Sequence, residues 1–385
     1  MSQAIVVGRG PSGLLLCSKL VAHGYDVTVI SDQAGSLPLW AGNWDFRSQD
    51  DEGHMVREPY TFWQGLVSKH HEASSLSSDQ WQKLWQELAF FWEQASISTW
   101  PLRSTNHYTL LASGRLRASF LVPKWQWASE RVESLALVSI EGLVDSQAPL
   151  MAERLQSEWS KPVYSLVLPK PPGYTSLWNA IRFATYFETA AGFSWLSDIL
   201  QQKSKAIPPS VTLVLPQVVG LYRTEMLLER LATELARPIY EYPLIAPSIG
   251  GLRIQKRWEQ FLKTQGVSLI AGHVEQVFAQ KVHLADGRQY GFDHLFLATG
   301  GILGGGLVVQ PSGKVLDPIL ATTVYQLDNE EEVERLAAIG SPAPFSVGRQ
   351  YGGCDVDLHG DGGAMNLWSV ALAMDHMLRE EKVLS

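Results

Sequence analysis

Cysteine is nearly absent. The 385-residue chain carries two, Cys17 and Cys354. Two thiols by themselves cannot build a disulfide framework, a zinc site or an iron–sulfur cluster. Scarce cysteine suits a reducing compartment, and no signal-peptide pattern precedes the first apolar run. A cytoplasmic location is therefore expected. Positive charge is also short: 31 Lys and Arg against 39 Asp and Glu leave a net charge of −8. That balance excludes a general nucleic-acid binder, which would show a basic footprint. No apolar run approaches the roughly 20 residues of a membrane span. The longest, Leu295 to Val309, is broken by five glycines. No repeat or low-complexity segment appears. His70 and His71 complete no metal-ligand spacing, so no metal site is expected. Glycine and tryptophan, by contrast, are plentiful, at 32 and 14 residues.

The glycines organise the N-terminus. Ala4-Ile5-Val6-Val7 reads as a short buried strand. Gly8, Gly10 and Gly13 follow at G-x-G-x-x-G spacing, with Pro11 and Ser12 opening an apolar helical pattern that runs to Gly24. Val27 to Ile30 is a second strand. This is a βαβ unit of the Rossmann type. Its first glycine permits the turn, its second lets backbone approach a pyrophosphate, and its third lets helix pack on strand. The helix N-terminus then faces the phosphates with free N–H groups. The carboxylate that usually ends the second strand and binds ribose is displaced: Ser31 holds that place and Asp32 follows one residue late.

A chain of this length exceeds one core, so two domains or a large insertion are expected. The spacing predicts an α/β cap over residues 105–250, inserted between residues 1–104 and 251–385 of a Rossmann-type FAD-binding domain. A hairpin turning at Ser113-Gly114 opens the cap. Strands at Leu135–Ile140, Val163–Leu168, Val211–Leu215 and Ile239–Tyr242 and helices at Ala148–Trp159 and Thr224–Ala236 follow. Before the cap, Trp81, Leu84, Trp85, Leu88 and Trp92 form one helical stripe. It suits either a helix packed on the body or a docking face for a partner. Past the cap, a helix over Ile254–Thr264, a strand ending at Ile270, paired strands at Val274–Val277 and Lys281–Leu284, and a strand closing on Ala298-Thr299-Gly300-Gly301 restore the dinucleotide-fold pattern. Small residues suit a backbone that packs near a cofactor.

Candidate site residues follow from this layout. The loop at Ala41-Gly42-Asn43 is expected along the cofactor rings, or else is an ordinary surface loop. At the tail, Gly348, Gly362, Gly363 and Ala364 belong to a glycine-rich stretch feeding a helix over Ala364–Leu378. Such a loop can hold an electron-rich ring edge. Arg253 and Arg349, each flanked by glycine-rich backbone, are candidates to grip an anionic substrate, because a guanidinium binds phosphate or carboxylate with two prongs. His359 is the acid/base candidate, since imidazole titrates near neutrality.

Several stretches carry a resemblance: GRGPSGLL, AGNWDF, ALVSIEGLVDSQAPLMAERL, PSIGGLRIQKRWEQFL, ATGGILGGGLVV and GRQYGGCDVDLHGDGGA. Together they resemble the B subunit of anaerobic glycerol-3-phosphate dehydrogenase, a flavoprotein. The likeness runs nearly end to end, with residues 51–100 poorly matched. It implies oxidation of sn-glycerol 3-phosphate to glycerone phosphate, with electrons passed toward quinone. It implies a flavoprotein catalytic subunit and an iron–sulfur subunit as partners, and peripheral attachment at the inner face of the membrane through them. The B subunit is usually described as binding FMN; the glycine fingerprint favours the dinucleotide FAD. Trp40, Trp44, Asp357, His359 and Asp361 depart from the family pattern. Two other readings remain beside it. One is a flavin-binding or empty scaffold that docks a catalytic partner. The other is a standalone flavin oxidoreductase of different substrate.

Overall fold

The computed structural model describes residues 2–32, 35–65, 76–129, 134–302, 305–326, 345–348 and 360–384. In chain order the elements are β1 (Gln3–Val7), α1 (Pro11–Ala22), β2 (Asp26–Ser31), α2 (Pro59–Gly65), α3 (Ser78–Gln94), β3 (His107–Leu110), β4 (Leu116–Ser119), β5 (Ala128–Ser129) and β6 (Leu135–Ile140). They continue with α4 (Ala148–Glu158), β7 (Val163–Leu168), α5 (Ala180–Phe187), α6 (Ala190–Lys203), β8 (Thr212–Pro216), α7 (Thr224–Leu235), β9 (Ile239–Tyr242), α8 (Ile249–Thr264), β10 (Ser268–Ala271) and β11 (Val274–Phe278). The remainder is β12 (Lys281–Leu284), β13 (Gln289–Gly291), β14 (His294–Leu297), β15 (Val308–Val309), β16 (Lys314–Asp317), β17 (Thr322–Gln326), β18 (Phe345–Ser346) and α9 (Gly362–Leu384). The chain divides into two units. One comprises Met1–Leu37, Trp44–Ile97 and Lys256–Ser385, the other Pro38–Asn43 and Ser98–Gln255.

The first unit is built on a parallel sheet in the order β10-β2-β1-β14-β18. Both faces of this sheet are covered, which is why β1 reads as an unbroken apolar run. Ile5, Val7, Leu295 and Leu297 point to one face and pack with Val274, Val282 and Leu284 of the antiparallel sheet β11-β12-β13. The alternate residues Ala4, Val6 and Phe296 are buried on the other face. Helix α1 packs against α3 and α9. Cys17 lies within α1, fully buried, and burial pushes its thiol well above the usual range, so it acts as a core residue. This is an α/β fold of the Rossmann type.

The tryptophan stripe is interior. Ser77 caps α3 in a capping box with Gln80, and Trp81, Trp85 and Trp92 are each at most 1% exposed. Phe46 stands 4.8 Å from Trp81 and 5.3 Å from Trp85, and Trp44 lies 6.4 Å from both Trp92 and Trp258. The expectation of a docking face on this stripe is therefore withdrawn: its rings fill a core.

The second unit holds a parallel sheet in the order β7-β6-β8-β9 and a small antiparallel sheet in the order β4-β3-β5. Helices α5 and α6 were not marked by sequence periodicity. Each begins at a side-chain cap, Asn179 accepting from the Arg182 amide and Thr189 from the Gly192 amide. Helix α8 starts at Ile249, five residues ahead of the expected Ile254. The Gly250-Gly251 pair lies within its first turn. The Gly250 N–H donates to Gln217 Oε1 at 3.0 Å, and a Cβ at Gly250 would lie 2.5 Å from the Ala41 carbonyl oxygen.

Candidate cofactor site

In the first unit, β1, β14 and β18 run out side by side. The Ala298 N–H donates to Val7 O at 2.8 Å, and the Val347 N–H to Leu297 O at 2.9 Å. Gly8, Thr299-Gly300-Gly301 and Gly348 therefore lie along one carboxyl edge of the parallel sheet. Open α/β sheets bind ligands at this edge.

The three fingerprint glycines differ in role. Gly8 adopts φ +107°, and a Cβ there would meet Ala298 O at 2.2 Å. A Cβ at Gly13 would meet Gly8 O at 2.2 Å. Both are demanded by the protein's own packing. Gly10 is not: among the described residues a Cβ there would meet only Ser36 Oγ, at 3.8 Å. Among those residues the Cβ side of Gly10 is uncrowded, as a site for a close-lying diphosphate requires. Gly10 itself is the N-cap of α1, Pro11 occupies the first turn, no side chain caps the helix and no acidic residue stands in its first turn. The positive end of the α1 dipole is left for an anion. These residues fit a dinucleotide's phosphates.

The distant tail returns to this turn. Ser12 Oγ donates to Asn366 Oδ1 of α9 at 2.7 Å. The Gly348 N–H donates to Ser369 Oγ at 2.8 Å, and a Cβ at Gly348 would lie 2.3 Å from Ser12 Oγ. The rest of the tail reaches elsewhere. A Cβ at Gly363 would meet Asp45 O at 2.4 Å, and the Ala364 N–H donates to that oxygen at 3.0 Å. Gly362 opens α9. Beside it Arg47 Nη1 pairs with Asp361 Oδ2 at 3.2 Å, both side chains buried, and burial lowers the guanidinium's pKa. The Ala364 amide, in the stretch expected along the cofactor, is thus engaged by Asp45.

The sequence-derived substrate residues fare differently. Arg253 is fully buried in the second unit. Its guanidinium pairs with Glu241 Oε2 at 2.5 Å and donates to Gly220 O at 2.6 Å through Nη2. This is a structural ion pair, so the expectation of an anion-gripping Arg253 is corrected. Burial pushes the Glu241 carboxyl up, opposed by the adjacent Arg253 charge. Arg349, His359 and Asp357 lie outside the described residues, as do Cys354, His70 and His71. Ala41, Gly42 and Asn43 lie in the second unit, where Ala41 O accepts from Gln126 Nε2 at 2.6 Å and Asn43 Nδ2 donates to Ser119 Oγ at 3.2 Å. Ser31 closes β2, and Asp32 Oδ2 lies 2.7 Å from His273 Nδ1.

Four residues near the turn were not singled out from sequence. Arg9, between the first two glycines, pairs with Glu259 at 3.4 Å. Ser36, Asn366 and Ser369 complete the surroundings. Only the i, i+3 spacing of Asn366 and Ser369, two polar residues on an apolar helix, signalled their shared face.

No protein-family model matches the chain. Among solved structures, glycine oxidase from Geobacillus kaustophilus aligns with 98% of this chain and 95% of its own, at 10% identity and a TM-score of 0.37. Among curated relatives, the B subunit of anaerobic glycerol-3-phosphate dehydrogenase from Pectobacterium atrosepticum is 23% identical over 349 residues, covering 85% of this chain and 81% of the relative. Its Yersinia pestis counterpart is 20% identical, covering 98% of each. The chain is thus similar, over most of its length, to the B subunits of anaerobic glycerol-3-phosphate dehydrogenases.

Proposed function

We propose that this protein is a flavin-dependent oxidoreductase subunit that binds FAD at the Gly8–Gly13 turn. In this reading it takes part in oxidising sn-glycerol 3-phosphate to glycerone phosphate, with electrons passed toward quinone through an iron–sulfur partner. The observation that carries it is the convergence of the fingerprint turn with Gly348 and Asn366 from the far end of the chain. A dinucleotide needs a grip at its diphosphate and a second wall along the rest of its length, and this convergence supports that reading. The substrate and the complex are drawn from the similarity to the dehydrogenase B subunits. Bound flavin would supply the two-electron chemistry. The protein's own residues bind and orient it: the uncrowded face of Gly10, the α1 N-terminus and the Ser12–Asn366 pair.

The burial of Arg253 favours a second, narrower reading: the chain carries flavin while a partner grips the anionic substrate. One experiment separates the two. The purified chain is denatured to release its chromophore, identified by mass. The intact protein is then mixed anaerobically with sn-glycerol 3-phosphate. FAD release and loss of the flavin's visible absorbance support the first reading. Bleaching only after a dehydrogenase partner is added supports the second. A colourless protein that takes up no flavin overturns both.

A further inference from the structure

Burying a cation without a counter-charge is costly, so buried charges are paired or hold a ligand. Arg237 departs from the paired case. It is 9% exposed and has no carboxylate partner among the described residues. Its Nε is buried with no hydrogen-bond partner there, and Nη1 lies a long 3.4 Å from Pro208 O. Burial lowers the guanidinium's pKa. Arg253, as deeply enclosed, has Glu241 beside it. The backbone around Arg237 is fixed. Ala236 turns left-handed at φ +50° to end α7, and its N–H donates to Ala232 O and Thr233 O. The Arg237 N–H donates to Ala232 O at 3.2 Å, and the Leu213 N–H holds Pro238 O at 3.0 Å. Backbone amides thus satisfy these carbonyls at the end of α7, and the guanidinium is not spent on capping them. The side chain lines a cavity of about 330 Å³ together with Ser204, Lys205, Ile207, Glu234 and Leu235. Lys205 is exposed and adds a second cation. Glu234, the acid on this wall, is already engaged by Ser197 Oγ and by Arg230 Nε at 2.7 Å. The lining residues precede β8 and β9, which places the cavity at the amino edge of the sheet β7-β6-β8-β9.

We propose that this cavity binds a small organic anion, with its phosphate or carboxylate group held by Arg237 and Lys205. The planar guanidinium matches the two oxygens of such a group, and the lysine adds a flexible point charge. Bonds of this kind are charge-assisted and strong. Ile207 and Leu235 supply an apolar wall for the ligand's carbon skeleton, and the volume suits a small molecule. The ligand is the counter-charge that the fold leaves Arg237 without. The cavity belongs to the second unit and the fingerprint turn to the first. The inference therefore stands apart from the flavin reading.

The test titrates the full-length protein by calorimetry with inorganic phosphate and with succinate, at fixed ionic strength in chloride. At least one probe should bind saturably, and the preferred one identifies the group the site takes. Arg237→Met should weaken that probe about tenfold or more. In chloride alone the same variant should melt at or above the wild-type temperature, because an unpaired buried cation has given way to an apolar chain. Lys205→Ala, on an exposed side chain, should melt as wild type does and bind the probe more weakly. Gly10→Val, altered in the first unit, should bind it as wild type does. Wild type that binds neither probe overturns the inference. So does binding that survives Arg237→Met, or that disappears in Gly10→Val and so belongs to the fingerprint turn. An Arg237→Met protein that melts well below wild type or fails to fold makes the arginine structural and overturns it too. Unchanged binding in Lys205→Ala removes the second cation from the site and with it the site as proposed.

Discussion

Gly10 and Gly13 are three residues apart, yet substitution should affect them in opposite ways. Gly10→Val places its Cβ at ordinary contact distance from the described residues, in an extended backbone that any residue adopts, with φ −72° and ψ −176°. Its stability cost should be about 1 kcal/mol or less, while cofactor retention is lost. Gly13→Val drives a Cβ into the Gly8 carbonyl and should cost about 2–4 kcal/mol. Thermal melting and flavin content after gel filtration check both. A Gly10→Val protein that keeps its flavin would refute the assigned phosphate position. Arg253 offers a second contrast. Arg253→Met leaves Glu241 buried without its cation and should cost about 3–5 kcal/mol near neutral pH. The sign with pH follows from linkage. A carboxyl whose folded pKa is raised binds its proton more tightly in the folded state. Its contribution is present at low pH and lost as pH rises through the folded pKa. The variant should therefore lose less stability relative to wild type at mildly acidic pH than at mildly alkaline pH. Urea melts at the two pH values decide it, and a deficit independent of pH would count against a lone buried carboxylate. Sequence spacing exposed the glycines because their role is a backbone property. It could not expose the Arg253 role, because the partner Glu241 sits on a different element and the burial of both is set by tertiary packing.

Among the elements, α7 shows how a distant carboxylate can fix the turn that leads into a helix. The N-cap residue Arg223 makes no side-chain cap. Ahead of the helix, Glu188 Oε1 accepts from the amides of Leu221, Tyr222 and Arg223 at 3.0, 2.6 and 2.8 Å and holds the entering chain in place. Glu188→Ala should cost about 1–2 kcal/mol, and Glu188→Gln, which keeps an acceptor, should lose less. Equal losses in chemical denaturation would show that the charge, not the acceptor, matters. For α3, Trp85→Ala removes a fully buried ring and should cost about 3–5 kcal/mol. Elements with one strong periodic signal were legible: β6, β7 and β9 match the strands read from sequence residue for residue. Helices α5 and α6 were obscured because their aromatics pack among themselves in a closely spaced pair, as with Phe187 stacked 6.0 Å from Trp195. The stripe on α3 was legible as a helix and ambiguous as to what covered it. An apolar face looks the same whether a core or a partner lies against it.

At the scale of the molecule, the parallel sheet of the first unit is assembled from stretches far apart in the chain. β1 pairs with β14 and β14 with β18, and α9 then lies on α1. The proposed site inherits this topology, since its turn comes from residues 8–13 and the residues that meet that turn are 348 and 366. Helix α9 buries Met365, Leu367, Trp368, Val370, Met374 and Met377. Burying each side chain of this kind is worth about 1.5–3 kcal/mol. Six together rival the ~5–15 kcal/mol net stability of a whole domain. A chain truncated after residue 359 should therefore fail to form the first unit and retain no flavin. The sheet of the second unit draws its strands from one continuous stretch, β6 to β9. It should survive as a protease-resistant fragment containing residues 135–242, identified by mass spectrometry after limited proteolysis. No helix among the described residues is long and apolar enough to cross a membrane. A truncated protein that still binds flavin would place the cofactor away from the convergence of turn and tail.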